Sequence, residues 1–121
     1  MDRFLASADL LGTTFSAPAM ASGFGAHLAV PLLRRAVPDE AAVANTTREQ
    51  AIKVVEECMK VLFYRDARSM NKYSMAIITG TDSGTGGAQD EVNIEWRKDV
   101  ALEQQSWRFA EGIKGYGAQT V

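Results

Sequence analysis

One cysteine, one histidine and three prolines stand in 121 residues, and each scarcity closes off a class of chemistry. The lone thiol, Cys58, cannot form an internal disulfide or a cysteine zinc cluster. The lone imidazole, His27, excludes a two-histidine metal site within one chain. No uninterrupted apolar run approaches the roughly 18 residues that a membrane-spanning helix requires. Neither sign of charge is in surplus: 13 Lys and Arg against 15 Asp and Glu leave a net −2. That balance supplies no basic field for nucleic acid or anionic lipid. The apolar stretch between Met1 and Asp9 is too short and too acid-flanked for a secretion signal. The cytoplasm and nucleus are the expected compartments.

What the chain does contain suits one globular domain, with 46% apolar and 23% charged residues. Residues Phe4 to Thr14 alternate loosely and predict one or two short strands, with Gly12 as a turn or bulge. Ser22-Gly23-Phe24-Gly25 then opens a predicted helix from about Ala26 to Val37, with Ser22 as its cap. Leu28, Leu32 and Ala36 form its apolar stripe, and Pro31 falls in its second turn. An alanine-rich polar link follows Pro38.

Thr46 and Glu49 have the spacing of a capping box, which predicts a second, longer helix to about Ser69. Ile52, Val55, Met59 and Leu62 make its apolar stripe, flanked by Cys58 and Phe63, while Lys53, Glu56, Glu57 and Lys60 take the solvated side. Strands are predicted at Tyr73–Thr79 and around Val92, Ile94 and Trp96, joined by a glycine-rich tip, Gly80–Ala88. Val100–Leu102 extend the sheet after a kink. A last helix spans about Gln104 to Ile113, and Gly115–Val121 carry no pattern of their own.

The densest chemistry lies in Val61-Leu62-Phe63-Tyr64-Arg65-Asp66-Ala67-Arg68-Ser69. A carboxylate near a helix C-terminus opposes the helix dipole, which favours Arg65 and Arg68 there. Asp66 therefore braces a neighbouring arginine or orients a catalytic group, and the brace is the commoner arrangement. The Ser22–Gly25 loop lacks the Lys-Ser/Thr pair of a P-loop and the third glycine of a dinucleotide fingerprint, so a plain helix start is expected. Cys58, beside Met59, reads as a packed thiol. Asp82-Ser83-Gly84 has the letters of an aspartic-protease loop, but such enzymes need two, which this chain supplies only as a homodimer. The glycine-aromatic tail is either disordered or docked on a partner.

Several of these pieces together resemble a known family. Asp9-Leu10-Leu11-Gly12, Ala21–Ala29, Pro31–Arg34, Val61–Ser69, Trp107-Arg108-Phe109-Ala110 and Ile113–Gly117 are similar, in order, to the proteasome β subunits. Within that family the likeness is to the type-4 class, the seventh β position of the eukaryotic ring, in its fungal form. It covers nearly the whole chain but only the C-terminal half of the family's domain. The implied fold is α+β: the four-layer α/β/β/α sandwich of the N-terminal-nucleophile hydrolases, with the N-terminal half absent. A fragment or truncated gene model is the expectation.

The resemblance also implies roles. Asp66 and Ser69 match the aspartate and serine that support the threonine amine in active relatives, and Ala26 stands where those relatives have another serine. Without that hydroxyl and without an N-terminal threonine, the proton-transfer network is not assembled. The implied function is a non-catalytic, structural subunit of the 20S core in ubiquitin-dependent protein degradation. No cofactor or metal is implied, and the partners are the other α and β subunits. The tail, Lys114, Gly115, Tyr116, Gly117, Ala118, Gln119, Thr120 and Val121, is the expected subunit interface. The alternative is an active threonine-type endopeptidase whose nucleophile lies in the missing half.

Overall fold

The computed structural model describes residues 4–81 and 91–102. Among these, β1 (Ala6–Ala8) and β2 (Thr14–Ser16) pair antiparallel, with Ser7 opposite Phe15. Asp9 closes their turn. Its Oδ1 accepts from the N–H groups of Leu11 and Thr13, both at 2.9 Å, while its own N–H donates to Thr13 O at 3.0 Å. Gly12 holds φ at +82°, a left-handed conformation that costs glycine nothing. The turn expected at Gly12 is therefore present.

The first predicted helix is interrupted. It forms as α1 (Gly25–Leu28) and α2 (Val30–Ala36), joined at Ala29. Pro31 has no N–H to donate back to His27, so one rung of the ladder is missing. The neighbouring rungs survive: Ala29 N–H reaches Gly25 O and Leu33 N–H reaches Ala29 O, each at 2.9 Å. Ser22 is not the cap. Phe24 occupies that position with no side-chain cap, and Ser22 serves through its carbonyl, which accepts from Gly25 N–H at 3.1 Å.

The polar link expected after Pro38 is largely a helix, α3 (Glu40–Asn45). Asp39 starts it, accepting from Ala42 N–H at 2.8 Å, and its alanines are strong helix formers. Thr46 then finishes α3, its hydroxyl donating to Ala42 O at 2.7 Å. With that hydroxyl occupied, the capping box of α4 (Arg48–Arg65) shifts one residue, to Thr47 and Gln50. Gln50 N–H donates to Thr47 Oγ1 at 3.2 Å, and Thr47 N–H to Gln50 Oε1 at 2.9 Å.

Helix α4 stops at Asp66 rather than Ser69. It packs against α1 and α2, and there Cys58, not the predicted stripe, is the centre. Cys58 and Ala29 are each 4% exposed, whereas Val55 is 39% exposed. Gly25 sits in the same seam, where an added Cβ would lie 3.1 Å from Ala21 Cβ.

The long hairpin of β3 (Lys72–Thr81) and β4 (Glu91–Ala101) pairs antiparallel, with a register irregularity between Tyr73 and Met75. Opposite it, Asp99 turns to φ 51°, so the expected kink is a bulge within one strand. Alternation gives the hairpin two unlike faces. Tyr73, Met75, Ile77, Glu95 and Arg97 share the face tied to α4: Tyr73 OH donates to Glu56 Oε1 at 3.1 Å, and Arg48 pairs with Glu95. Glu56, assigned to the solvated side, is therefore half-buried and bonded. Ala76, Ile78, Val92, Ile94 and Trp96 make the opposite face, which is apolar and exposed. Among the described residues only Ala29, Cys58 and Met75 are buried hydrophobics. The glycine-rich tip beyond Thr81, the helix predicted at 104–113 and the tail 114–121 lie outside the described residues.

Candidate functional site

Asp66 leaves helical geometry at the end of α4 (φ −98°, ψ 113°), and its N–H donates to Leu62 O at 2.7 Å. Its Oδ1 accepts from Arg68 N–H at 3.0 Å. The carboxylate thus closes a turn on the backbone two residues ahead, a local alternative to continuing the helix. This corrects the expected arginine brace: the bond goes to the Arg68 main chain, not to a guanidinium. Ser69 completes the arrangement, its hydroxyl donating to Asp66 O at 2.7 Å and Phe63 O at 3.2 Å. Carbonyls left open at the helix end are satisfied in this way. Phe63 and Tyr64 meet edge to face beside it, ring centroids 5.7 Å apart.

Ala26 stands exposed in α1 and contributes only a methyl group. Its N–H, with those of Gly25 and His27, is engaged by the carbonyls of Gly23, Ser22 and Phe24, each at 3.1 Å. Three amides already bonded do not cradle a phosphate, which removes the anion reading of the Ser22–Gly25 loop. His27 is exposed. Burial, reinforced by the Glu57 charge, pushes the Cys58 thiol above its ordinary range, opposite to what a nucleophilic cysteine needs. No group of three metal-ligating side chains occurs among the described residues. Asp82 and the tail 114–121 lie outside them.

Two features escaped sequence reasoning. An apolar groove of about 810 Å³ runs between the segment 18–22 and the helices, past Ala21, Ala29, Val54, Val55, Cys58 and Leu62. The other is the polar clamp on the α4 side of the hairpin. Glu95 accepts from Arg97 Nε at 2.7 Å and from Arg48, so one carboxylate joins the start of α4 to β4. The bond to Arg97, with the two positive charges, holds the Glu95 carboxyl below its usual range. Contacts 47 residues apart in sequence leave no periodic signal that could have revealed the Arg48 pair.

Comparison with known proteins supplies what this geometry leaves open. The family model for proteasome subunits matches residues 1–78. The chain belongs to the proteasome subunit family. Proteasome subunit beta type-7 of Saccharomyces cerevisiae is 43% identical over 120 residues, covering 99% of this chain and 41% of that protein. A probable beta type-7 subunit of Schizosaccharomyces pombe is 47% identical over 118 residues, 98% of this chain and 40% of that one. Beta type-4 of Xenopus laevis is 44% identical over 115 residues, 95% and 41% respectively. The chain thus spans about two fifths of the length of the curated relatives it matches. Membership brings the N-terminal-nucleophile hydrolase fold, and the mixture of helices with antiparallel strands agrees with it.

Proposed function

We propose that this chain acts as the C-terminal half of a non-catalytic, structural β subunit of the 20S proteasome core, in the class named type-4 in Xenopus and type-7 in the yeasts. The observation that carries the non-catalytic reading is the local engagement of the family-position residues. The Asp66 carboxylate accepts from Arg68 N–H, the Ser69 hydroxyl donates to two carbonyls, and position 26 has no hydroxyl at all. On this reading their role is to finish the helix, and the hydroxyl that active relatives have at position 26 is missing from the proton-transfer network.

On this reading the subunit assembles with other α and β subunits, in cytoplasm and nucleus, and serves ubiquitin-dependent degradation through the particle as a whole. The apolar outer face of the β3–β4 hairpin then meets the second sheet of the four-layer sandwich, supplied by the other half of the domain. The tail 114–121 extends onto a neighbouring subunit.

The rival is an active threonine peptidase whose nucleophile lies in the part of the domain not spanned here, and retention of Asp66 and Ser69 is the observation in its favour. The test is to purify the tagged full-length product of this gene from its own cells and identify what accompanies it. A full complement of α and β subunits is expected. Asp66→Asn should then leave each peptidase activity of the particle in proportion to the amount assembled. Selective loss of one activity at normal assembly would establish the rival, and recovery of the tagged protein alone would overturn both.

A further inference from the structure

Four charges and a hydroxyl form one alternating line on the α4 side of the long hairpin. Arg48 of α4 pairs with Glu95 of β4, and Glu95 accepts from Arg97 Nε at 2.7 Å. Further along α4, the Glu56 carboxylate accepts from Tyr73 OH at 3.1 Å. Arg97 stands between these two attachments. It pairs with Met75, midway between Tyr73 and Ile77, and Ile77 lies opposite Glu95. The bond to Glu95 raises the Arg97 pKa most, and the Glu56 charge adds to it.

The two attachments have matched spacings. Glu56 lies eight residues beyond Arg48, about 12 Å along a helix. Tyr73 lies four residues before Ile77, about 13 Å along a strand. The apolar residues of α4 do not set this register by themselves. Ile52, Val55, Met59 and Leu62 recur at helical spacing, so a slip of one turn exchanges one for another. The charges are not interchangeable. The same slip sets Ile52 or Lys53, or Met59 or Lys60, in the place of Glu56, against Arg97. The bulge in β4 serves the same end. Because Met75 pairs with Arg97 but Tyr73 with Val100, β4 carries one extra residue there. Val100 is partly covered and Asp99 exposed. In a regular ladder Asp99 would take the position opposite Tyr73 and bring a third carboxylate beside Glu56.

We propose that Arg48, Glu56, Tyr73, Glu95 and Arg97 act as a register lock that fixes how far along the β3–β4 hairpin α4 sits. Since β3 begins six residues after Asp66, the lock also places the Asp66–Ser69 closure relative to the sheet. Every member lies on this chain, so the lock operates whether or not the subunit is catalytic.

The test uses the tagged full-length gene product purified from its own cells, with backbone hydrogen exchange across β3 and β4 followed by mass spectrometry. Arg97→Glu should speed exchange there roughly tenfold, because attraction to two carboxylates becomes repulsion. Arg48→Glu/Glu56→Lys/Glu95→Arg/Arg97→Glu inverts all four charges, keeps their alternation and should return exchange to near the parent's rate. Lys53→Glu/Glu57→Lys, an exchange of charges between exposed positions of α4, should leave the hairpin as protected as in the parent. Exchange in Arg97→Glu as slow as in the parent would overturn the lock. So would a fourfold inversion that exchanges as fast as Arg97→Glu alone. If Arg97→Glu does not accumulate, the comparison is read as yield: recovery of the inverted variant supports the lock, and its loss overturns it.

Discussion

Gly12 and Gly23 hold φ at +82° and +58° with nothing within 4 Å of where a Cβ would stand. Their requirement is conformational, and Gly12→Ala should lower stability by about 1 kcal/mol, read from urea unfolding. Gly25 is the opposite case: φ is ordinary, and the constraint is Ala21 Cβ at 3.1 Å. Cys58 makes a residue-scale prediction of another kind. Cys58 is 4% exposed, and its thiol donates to Ala29 O at 3.8 Å. Burial that raises its pKa keeps it protonated, so alkylation at pH 8 should be slow in the native protein and accelerate on unfolding. Rapid labelling of the folded chain, followed by mass spectrometry, would contradict the packing described. Cysteine on the flank of a helical stripe was legible as a packed thiol; that it is the centre of the seam was not, because this depends on its meeting Ala29, 29 residues away in the chain.

Threonines 46 and 47 show how an element boundary is decided by competition. Each has a hydroxyl, and each has a side-chain acceptor three residues ahead. Thr46 is drawn to Ala42 O by α3, which leaves Thr47 to start α4. Thr47→Ala should cost about 1 kcal/mol, and Glu49→Gln far less, as measured by thermal unfolding. The reverse ranking would restore the Thr46–Glu49 box. The Arg48–Glu95–Arg97 clamp is the corresponding device between elements. Because the folded protein holds Glu95 below its ordinary pKa, the clamp stabilises above the usual carboxylate range, about pH 4.3, and is lost as pH falls through the depressed value. Glu95→Gln should therefore remove part of the stability difference between pH 7 and pH 3, and added salt should weaken the parent's clamp, since its groups are open to solvent.

For the molecule as a whole, the decisive quantity is how little is buried. Three buried hydrophobics among the described residues, beside an open groove and a bare hairpin face, make a core with one side missing. Ile78 and Trp96 are 68% and 65% exposed. The isolated chain should therefore associate as its concentration rises, followed by light scattering after gel filtration. Ile94→Lys, which sets a charge in the middle of the apolar face, should suppress this. A soluble monomer with a sharp cooperative melt would mean that the face is satisfied within the chain.

Periodicity, turn residues and composition by themselves determined the two main helical regions, the N-terminal turn at Gly12 and the long hairpin, because these are written in contacts a few residues apart, while the family was legible only as a resemblance of several segments in order. Asp66 and Ser69 were found from the same local string. Their local bonds were decided in three dimensions, where both groups close the end of α4. The tertiary structure alone decided the split at Ala29, the shifted capping box, the Glu95 clamp and the two unlike faces of the hairpin. Each depends on which of several eligible donors, acceptors or apolar surfaces comes closest. That competition is settled by packing between segments far apart in the chain, on which local pattern carries no information.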